Sequence, residues 1–154
     1  MIAIDKWLGS TARAVDPRSL SPIRTKGTEA KIWGLIGTQN GQSYDSIMAN
    51  IVDPLVATWG LPDRILLPTD GDASHVFQRW ATLKDIPVRF IGCDWKSHGR
   101  SAARVRDAAI EREANYYILL QGPRSNTLTD LSARMKRKGR TVGLSERPGS
   151  KIVV

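Results

Sequence analysis

The chain has a single cysteine, Cys93, among its 154 residues, so no internal disulfide can hold it together. Its two histidines, His75 and His98, share no metal-binding spacing with Cys93 or with paired carboxylates, and a tetrahedral site needs four ligands or three and a water. No metal and no cofactor are therefore expected. Ser97 beside His98 lacks an orienting acid at a recognisable position, which argues against a hydrolytic triad. No apolar run approaches the roughly 20 residues that cross a bilayer. No N-terminal stretch combines a basic start, a long apolar segment and a small-residue cleavage site. These absences lead to the expectation of a cytoplasmic protein with no membrane partner. Neither a Walker A pattern nor a GxGxxG occurs, so no specific phosphate-binding fingerprint is present.

What is present is 41% hydrophobic residues, enough for one globular domain with a sizeable core, and a formal net charge of +8. A positive field of that size attracts anions of any kind. The excess is uneven: RMKRKGR at 134–140 holds five Lys or Arg in seven positions. That segment has two readings, a nucleic-acid footprint or a helix end whose cations complement the helix dipole. It contains no aromatic residue to stack on bases, so nucleic acid is the second choice of partner.

Apolar runs alternate with helix-spaced segments along the chain. KIWGLIG (31–37), RILLP (64–68), PVRFIG (87–92), NYYILLQ (115–121) and RTVGL (140–144) read as strands. YDSIMANIVDPLVATWG (44–60) reads as a helix that Pro54 kinks or divides. DASHVFQRWATLKD (72–85), SAARVRDAAIEREA (101–114) and TLTDLSARMKRKG (127–139) read as further helices. Five strands separated by helices predict an α/β fold: a single Rossmann-like, three-layer domain with an open, mostly parallel sheet and helices on both faces. The predicted division is an N-terminal arm or linker at 1–30, the domain at 31–144 and a C-terminal tail at 145–154. Within the arm, IDKWLGSTARA suggests a short helix. The tail could add an edge strand or dock on a neighbour.

Sheets of this kind bind ligands beyond the carboxyl ends of their strands. Two loops there carry the candidate residues. GTQNGQS (37–43) supplies Gly37, where the backbone could approach a ligand, and the polar Thr38, Gln39 and Asn40. QGPRSNT (121–127) supplies Gly122, Arg124, Ser125, Asn126 and Thr127 at a helix N-terminus, whose amides suit an anion.

The segment IPVRFIGCDWKSHGRSAARVRDAAI (86–110) resembles the YspA and YpsA-like branch of the SLOG superfamily. Members show an apolar strand, an Asp-Trp, a short basic turn with Gly, and an Ala-rich helix carrying Ile-Arg-Asn. The counterparts here are Asp94, Trp95, Lys96, Gly99, Ala102, Ala103 and Val105-Arg106-Asp107. GTQ (37–39) stands where members carry Gly-Ser-Arg, and GPRSNTLTD (122–130) stands at their glycine-rich turn. The likeness covers about residues 32–143. It implies a sheet order of 3-2-1-4-5, in which the first and fourth strands lie side by side and their two loops face each other.

The resemblance also implies a function: binding of a nucleotide or nucleotide-derived signalling molecule, as in sensors of defence systems. The alternative it implies is a phosphoribohydrolase of the Lonely Guy type, cutting the glycosidic bond of a nucleoside monophosphate. Those enzymes carry Pro-Gly-Gly-x-Gly-Thr-x-x-Glu, and here Thr127 is followed at that spacing by Asp130, a shorter acid at the catalytic position. Thr127 and Asp130 also have capping-box spacing. A second alternative is single-strand nucleic-acid binding, as in DprA. Arg106 stands where members place an Arg near the ligand; its other reading is a solvent ion pair with Asp107 or Glu113. Asp94 accepts a ribose hydroxyl or caps a turn. Trp95 reads as a core residue rather than a stacking platform, and Cys93 as a small buried apolar group. Members often pair, so a homodimer or higher homo-oligomer is expected, with the apolar ends MIAI and KIVV exchanging between subunits.

Overall fold

The computed structural model describes residues 29–122 and 126–154 in full, and residues 3–6 and 9–12 by their backbone. A five-stranded, all-parallel sheet organises the described residues. Its strands are β3 (Ile32–Gly37), β4 (Arg64–Pro68), β5 (Val88–Ile91), β6 (Tyr116–Leu120) and β7 (Thr141–Ser145), in spatial order β5-β4-β3-β6-β7. This is the 3-2-1-4-5 order. β3 is central, pairing Trp33 with Ile65 of β4 on one side and with Tyr116 of β6 on the other.

Side chains alternate across the sheet and feed two cores. On one face Trp33, Leu35, Ile65, Leu67, Ile118 and Leu120 pack with the helices of residues 44–59 and 72–83. On the other, Ile36, Leu66, Tyr117 and Leu119 pack under Ile110 and Met135 of the two later helices. With both faces covered, the strands read as continuous apolar runs, which is why they were visible in the sequence. Trp33 stacks on Trp80 at 5.7 Å and meets Trp59 edge-on at the same distance.

The helices are α1 (Tyr44–Ile47), α2 (Asp53–Trp59), α3 (Asp72–Leu83), α4 (Trp95–His98), α5 (Ala102–Glu113) and α6 (Thr127–Arg137). Pro54 does divide the first segment: a π turn, Met48–Val52, joins α1 to α2. Pro54 has no N–H to return to the carbonyl of Asn50, four residues back. The amide of Ile152 donates to that carbonyl at 2.9 Å instead. The last residues are thus part of the domain, which corrects the boundary at 144. Ile152 lies in the core, and Val153 bridges antiparallel to Leu144 at the sheet edge.

The helix expected around residues 4–14 is not formed. β1 (Ala3–Lys6) and β2 (Gly9–Ala12) pair antiparallel, Ala3 opposite Ala12 and Lys6 opposite Gly9. Gly9 and Thr11 are poor helix formers, and they outweigh the apolar spacing. On β3, a Cβ at Gly34 would come within 2.7 Å of Ala114 Cβ and Ile110 Cγ2, so this glycine lets α5 lie directly on the sheet.

Candidate functional site

The carboxyl ends of β3 and β4 lead into two loops that are stitched together. The Gly41 amide donates to Asp72 Oδ2 at 2.7 Å, and the Asp72 amide donates back to Asn40 Oδ1 at 3.1 Å. Asn40 therefore holds the loop with its oxygen and keeps only its NH2 for a ligand. Thr38 lies half-buried against Gly71, within 2.8 Å of where a Cβ would stand. Gly37, expected to admit a ligand, has its space filled by the Leu120 carbonyl and the Leu128 side chain. Its φ of +92° and that close approach require glycine for joining β3 to β6, which corrects the sequence expectation.

Gln39 is corrected in the same way. It is 1% exposed, and its Nε2 donates to the Gln121 carbonyl at 2.9 Å and to Ser145 O and Oγ at 3.1 Å. Its Oε1 accepts from Gln42 Nε2 at 3.1 Å. The side chain ties the ends of β3, β6 and β7 together and has no atom to offer a ligand.

The expected phosphate cradle at the start of α6 is occupied by the protein itself. Gln121 Oε1 accepts from the amides of Leu128 and Thr129, both at 2.9 Å, while Gln121 Nε2 donates to Thr129 Oγ1 at 2.7 Å. Asn126 is the N-cap by position but makes no side-chain cap bond, and Thr127 is already the first helical residue. The capping-box reading of Thr127 with Asp130 is thereby replaced: the capping oxygen comes from the strand end. Asp130, the candidate catalytic acid, is exposed on the first turn of α6. Gly122 is half-buried, with nothing within 4 Å of an added Cβ. Arg124 and Ser125 lie outside the described residues.

Among the candidate residues, Arg106 lies at the carboxyl edge of the sheet with a buried, charged side chain. It stands in the second turn of α5 and is 7% exposed. Nη1 donates to Asp70 Oδ1 at 2.8 Å and to Cys93 Sγ at 3.2 Å, and Nε donates to Asp107 Oδ1 at 3.1 Å. Nη2 makes no hydrogen bond among the described residues. Asp70 and Cys93 lie just beyond β4 and β5, so the guanidinium sits under the carboxyl ends of those two strands. The pair is asymmetric, since the Asp70 side chain is 67% exposed. Burial pushes the Asp107 carboxyl above the ordinary value of 3.8, against the lowering effect of Arg106. Arg106 is thus a buried guanidinium rather than a solvent ion pair, and Glu113 pairs with Arg89 instead. Cys93 is half-buried and a partner of the cation, not an enclosed apolar group.

Asp94 takes the turn-capping role. Its Oδ1 accepts from the Ser97 amide at 3.1 Å, and that bond holds its carboxyl below 3.8. Trp95 is 61% exposed, which corrects its reading as a core residue. The sequence missed two residues that organise this edge, Asp70 and Gln121. Asp70 carried one usable signal, an acid two positions past a strand end on the ligand side of the sheet.

Comparison with family models, with curated proteins and with solved structures finds no match to the chain.

Proposed function

We propose that this protein binds a nucleotide or a nucleotide-derived signalling molecule at the carboxyl edge of its sheet, with the ligand's phosphate on Arg106. The observation that carries this reading is the buried guanidinium with Nη2 uncommitted among the described residues and its Nη1 held by an exposed carboxylate. A dianionic phosphate can displace Asp70 into water and take both terminal nitrogens as a bidentate acceptor. Thr38 and the NH2 of Asn40 line the neighbouring loop and suit hydroxyl or base contacts. The SLOG likeness of residues 86–110 supports the same ligand class. The expected pairing of subunits belongs to this reading.

Binding is favoured over turnover because Asp130 stands exposed to water on α6, outside the Arg106 cluster. The test is mass spectrometry of small molecules released from the purified protein, followed by calorimetric titration of the identified species. An intact phosphorylated nucleoside derivative is expected, whereas free base with ribose phosphate would mean hydrolysis and refute the binding reading. Arg106→Lys keeps the charge but not the fork, and should weaken binding at least tenfold. Asp70→Asn removes the internal competitor and should tighten it up to about fivefold, the weight of a largely exposed ion pair. Unchanged affinity in Arg106→Lys would overturn the placement.

A further inference from the structure

The charges around Arg106 restrict what can enter beside it. One guanidinium faces two carboxylates: Nη1 donates to Asp70 Oδ1 at 2.8 Å and Nε donates to Asp107 Oδ1 at 3.1 Å. Among the described residues neither carboxylate forms an ion pair with a second cation. The resting cluster therefore carries one net negative charge. Its two acids are not equivalent, because the Asp70 side chain is 67% exposed and that of Asp107 only 32%. An anion that takes the place of Asp70 leaves Asp107 where it is, on Nε.

Exchange of Asp70 for a singly charged anion keeps one cation against two negative charges. Exchange for a doubly charged anion sets three negative charges against it, around a guanidinium enclosed by the protein. Water screens such an excess poorly at a half-buried site, and a like charge raises the pKa of a neighbouring carboxyl. Burial is the main cause of the raised Asp107 carboxyl, and Asp70 already adds to it against the pull of Arg106. The other charges around Asp107 do not cancel this. Arg104 and Glu111 flank it by one turn of α5, Arg104 exposed and Glu111 bound by Arg140. In the sheet beneath, Arg89 is bound by Glu113, and Arg64 stands at the first position of β4, at the opposite end of that strand from Asp70. On α6, Asp130 and Arg134 are exposed to water. The Cys93 thiol meets Nη1, away from the Asp107 side of the guanidinium.

We infer that the Arg106 seat admits one negative charge: a phosphodiester enters as it is, whereas a dianionic phosphate monoester enters together with one proton from solvent, held on the Asp107 carboxylate. This rests on the reading that a phosphate occupies Arg106, and it names the ligand class which that reading leaves open, a nucleotide joined through a phosphodiester rather than one ending in a free monoester. A proton bound with the ligand makes affinity depend on pH. Between the value of Asp107 in the free protein, above 3.8, and its higher value in the complex, affinity for a dianion falls as pH rises, by up to about tenfold per unit.

The test uses two small probes of fixed charge, sulfate with two charges and dimethyl phosphate with one, titrated into the full chain by NMR from about pH 4.5 to 7.5. Sulfate affinity should fall at least about tenfold across that range, while dimethyl phosphate affinity should change by under about twofold. The carboxyl carbon resonance of Asp107 should titrate at higher pH with sulfate than without it, which reads the proton on the native chain. Asp107→Asn should level the sulfate curve, and Asp70→Asn should leave its slope in place. Sulfate affinity that is constant or rises with pH, an Asp107 resonance unmoved by sulfate, or a slope that survives Asp107→Asn at an unchanged melting temperature would each overturn the inference, while Arg106→Lys still weakened both probes. If Arg106→Lys leaves both affinities unchanged, or if neither probe binds, the placement of the phosphate on Arg106 falls and the inference falls with it.

Discussion

Gln121 offers the sharpest test of how the carboxyl edge is built. Its side chain satisfies two amides of the first turn of α6 and the Thr129 hydroxyl, from a position 3% exposed. Truncation in Gln121→Ala orphans all three groups at once. Loss of a cap typically costs about 1 kcal/mol, and an enclosed polar group left without a partner costs about 1–3 kcal/mol. The start of α6 is partly accessible to water, so the lower part of that range applies, giving about 2 kcal/mol in total. For a domain of this size that lowers the melting temperature by about 4–8 °C. Gln121→Glu keeps acceptor oxygens on the amides and adds a favourable charge at the helix N-terminus, while the Thr129 hydroxyl can turn to donate. It should stay within about 0.5 kcal/mol of the native chain.

The same substitution exposes what Gln121 hides. Freed amides at a helix N-terminus bind anions, so Gln121→Ala should acquire a phosphate dependence that the native helix start lacks. Phosphate at ten times its dissociation constant returns about 1.4 kcal/mol. The assay is urea unfolding with and without phosphate at constant ionic strength. If native and Gln121→Ala chains gain equally from phosphate, or if the variant loses under 0.5 kcal/mol, then Gln121 does not block an anion site at the start of α6.

Ile152→Ala, emptying a core position that also delivers the amide to Asn50, should cost about 2–5 kcal/mol in urea unfolding; a loss under 1 kcal/mol would show the tail to be dispensable. Two carboxylates should act on stability with opposite sign. Asp107, raised by burial, lowers stability as pH climbs from 3.8 through its folded value, and Asp107→Asn should remove that decline. Asp94, lowered by the Ser97 amide, contributes stability above 3.8 that is lost as pH falls through its folded value, and Asp94→Asn should remove that acid-side loss. Stability curves measured by denaturant titration across pH 2–7 separate the two, and parallel curves for both variants would refute the assignment.

The strands and their order were legible because the sheet is buried on both faces, so each strand appears as a bounded apolar run such as RILLP or YYILL. The division at Pro54 was legible for a local reason, the missing N–H, although the residue that compensates it lies almost a hundred positions away. The polar residues at the strand ends were not legible. Gln39 has the composition of a ligand contact, and what turns it inward is a pair of partners 82 and 106 positions distant, whereas the Gln121 side chain turns onto the start of the helix that follows it. Trp95 failed for the converse reason: Trp is usually buried, yet the four-residue helix after the edge strand β5 buries none of its residues. Arg106 could be singled out in the sequence, but its burial and its counter-ion Asp70, which comes from another loop, needed the fold.

The two glutamines move the proposed ligand seat away from the crevice between β3 and β6. In a sheet of this order the crevice between β3 and β6 is the natural ligand seat, and here Gln39 closes it from one strand while Gln121 caps the helix that would hold the anion from the other. The buried guanidinium of Arg106 lies one strand over, beneath β4 and β5. Burying a guanidinium costs several kcal/mol unless its donors are met, and Arg106 is met on three sides by Asp70, Asp107 and Cys93. Of these, Asp107 is half-buried on the same helix and Cys93 cannot leave its strand end, whereas Asp70 already faces water. The exposed carboxylate is therefore the one partner that an incoming phosphate could replace without stranding a buried group, so the proposed binding predicts entry from the Asp70 side of Arg106 rather than at the start of α6.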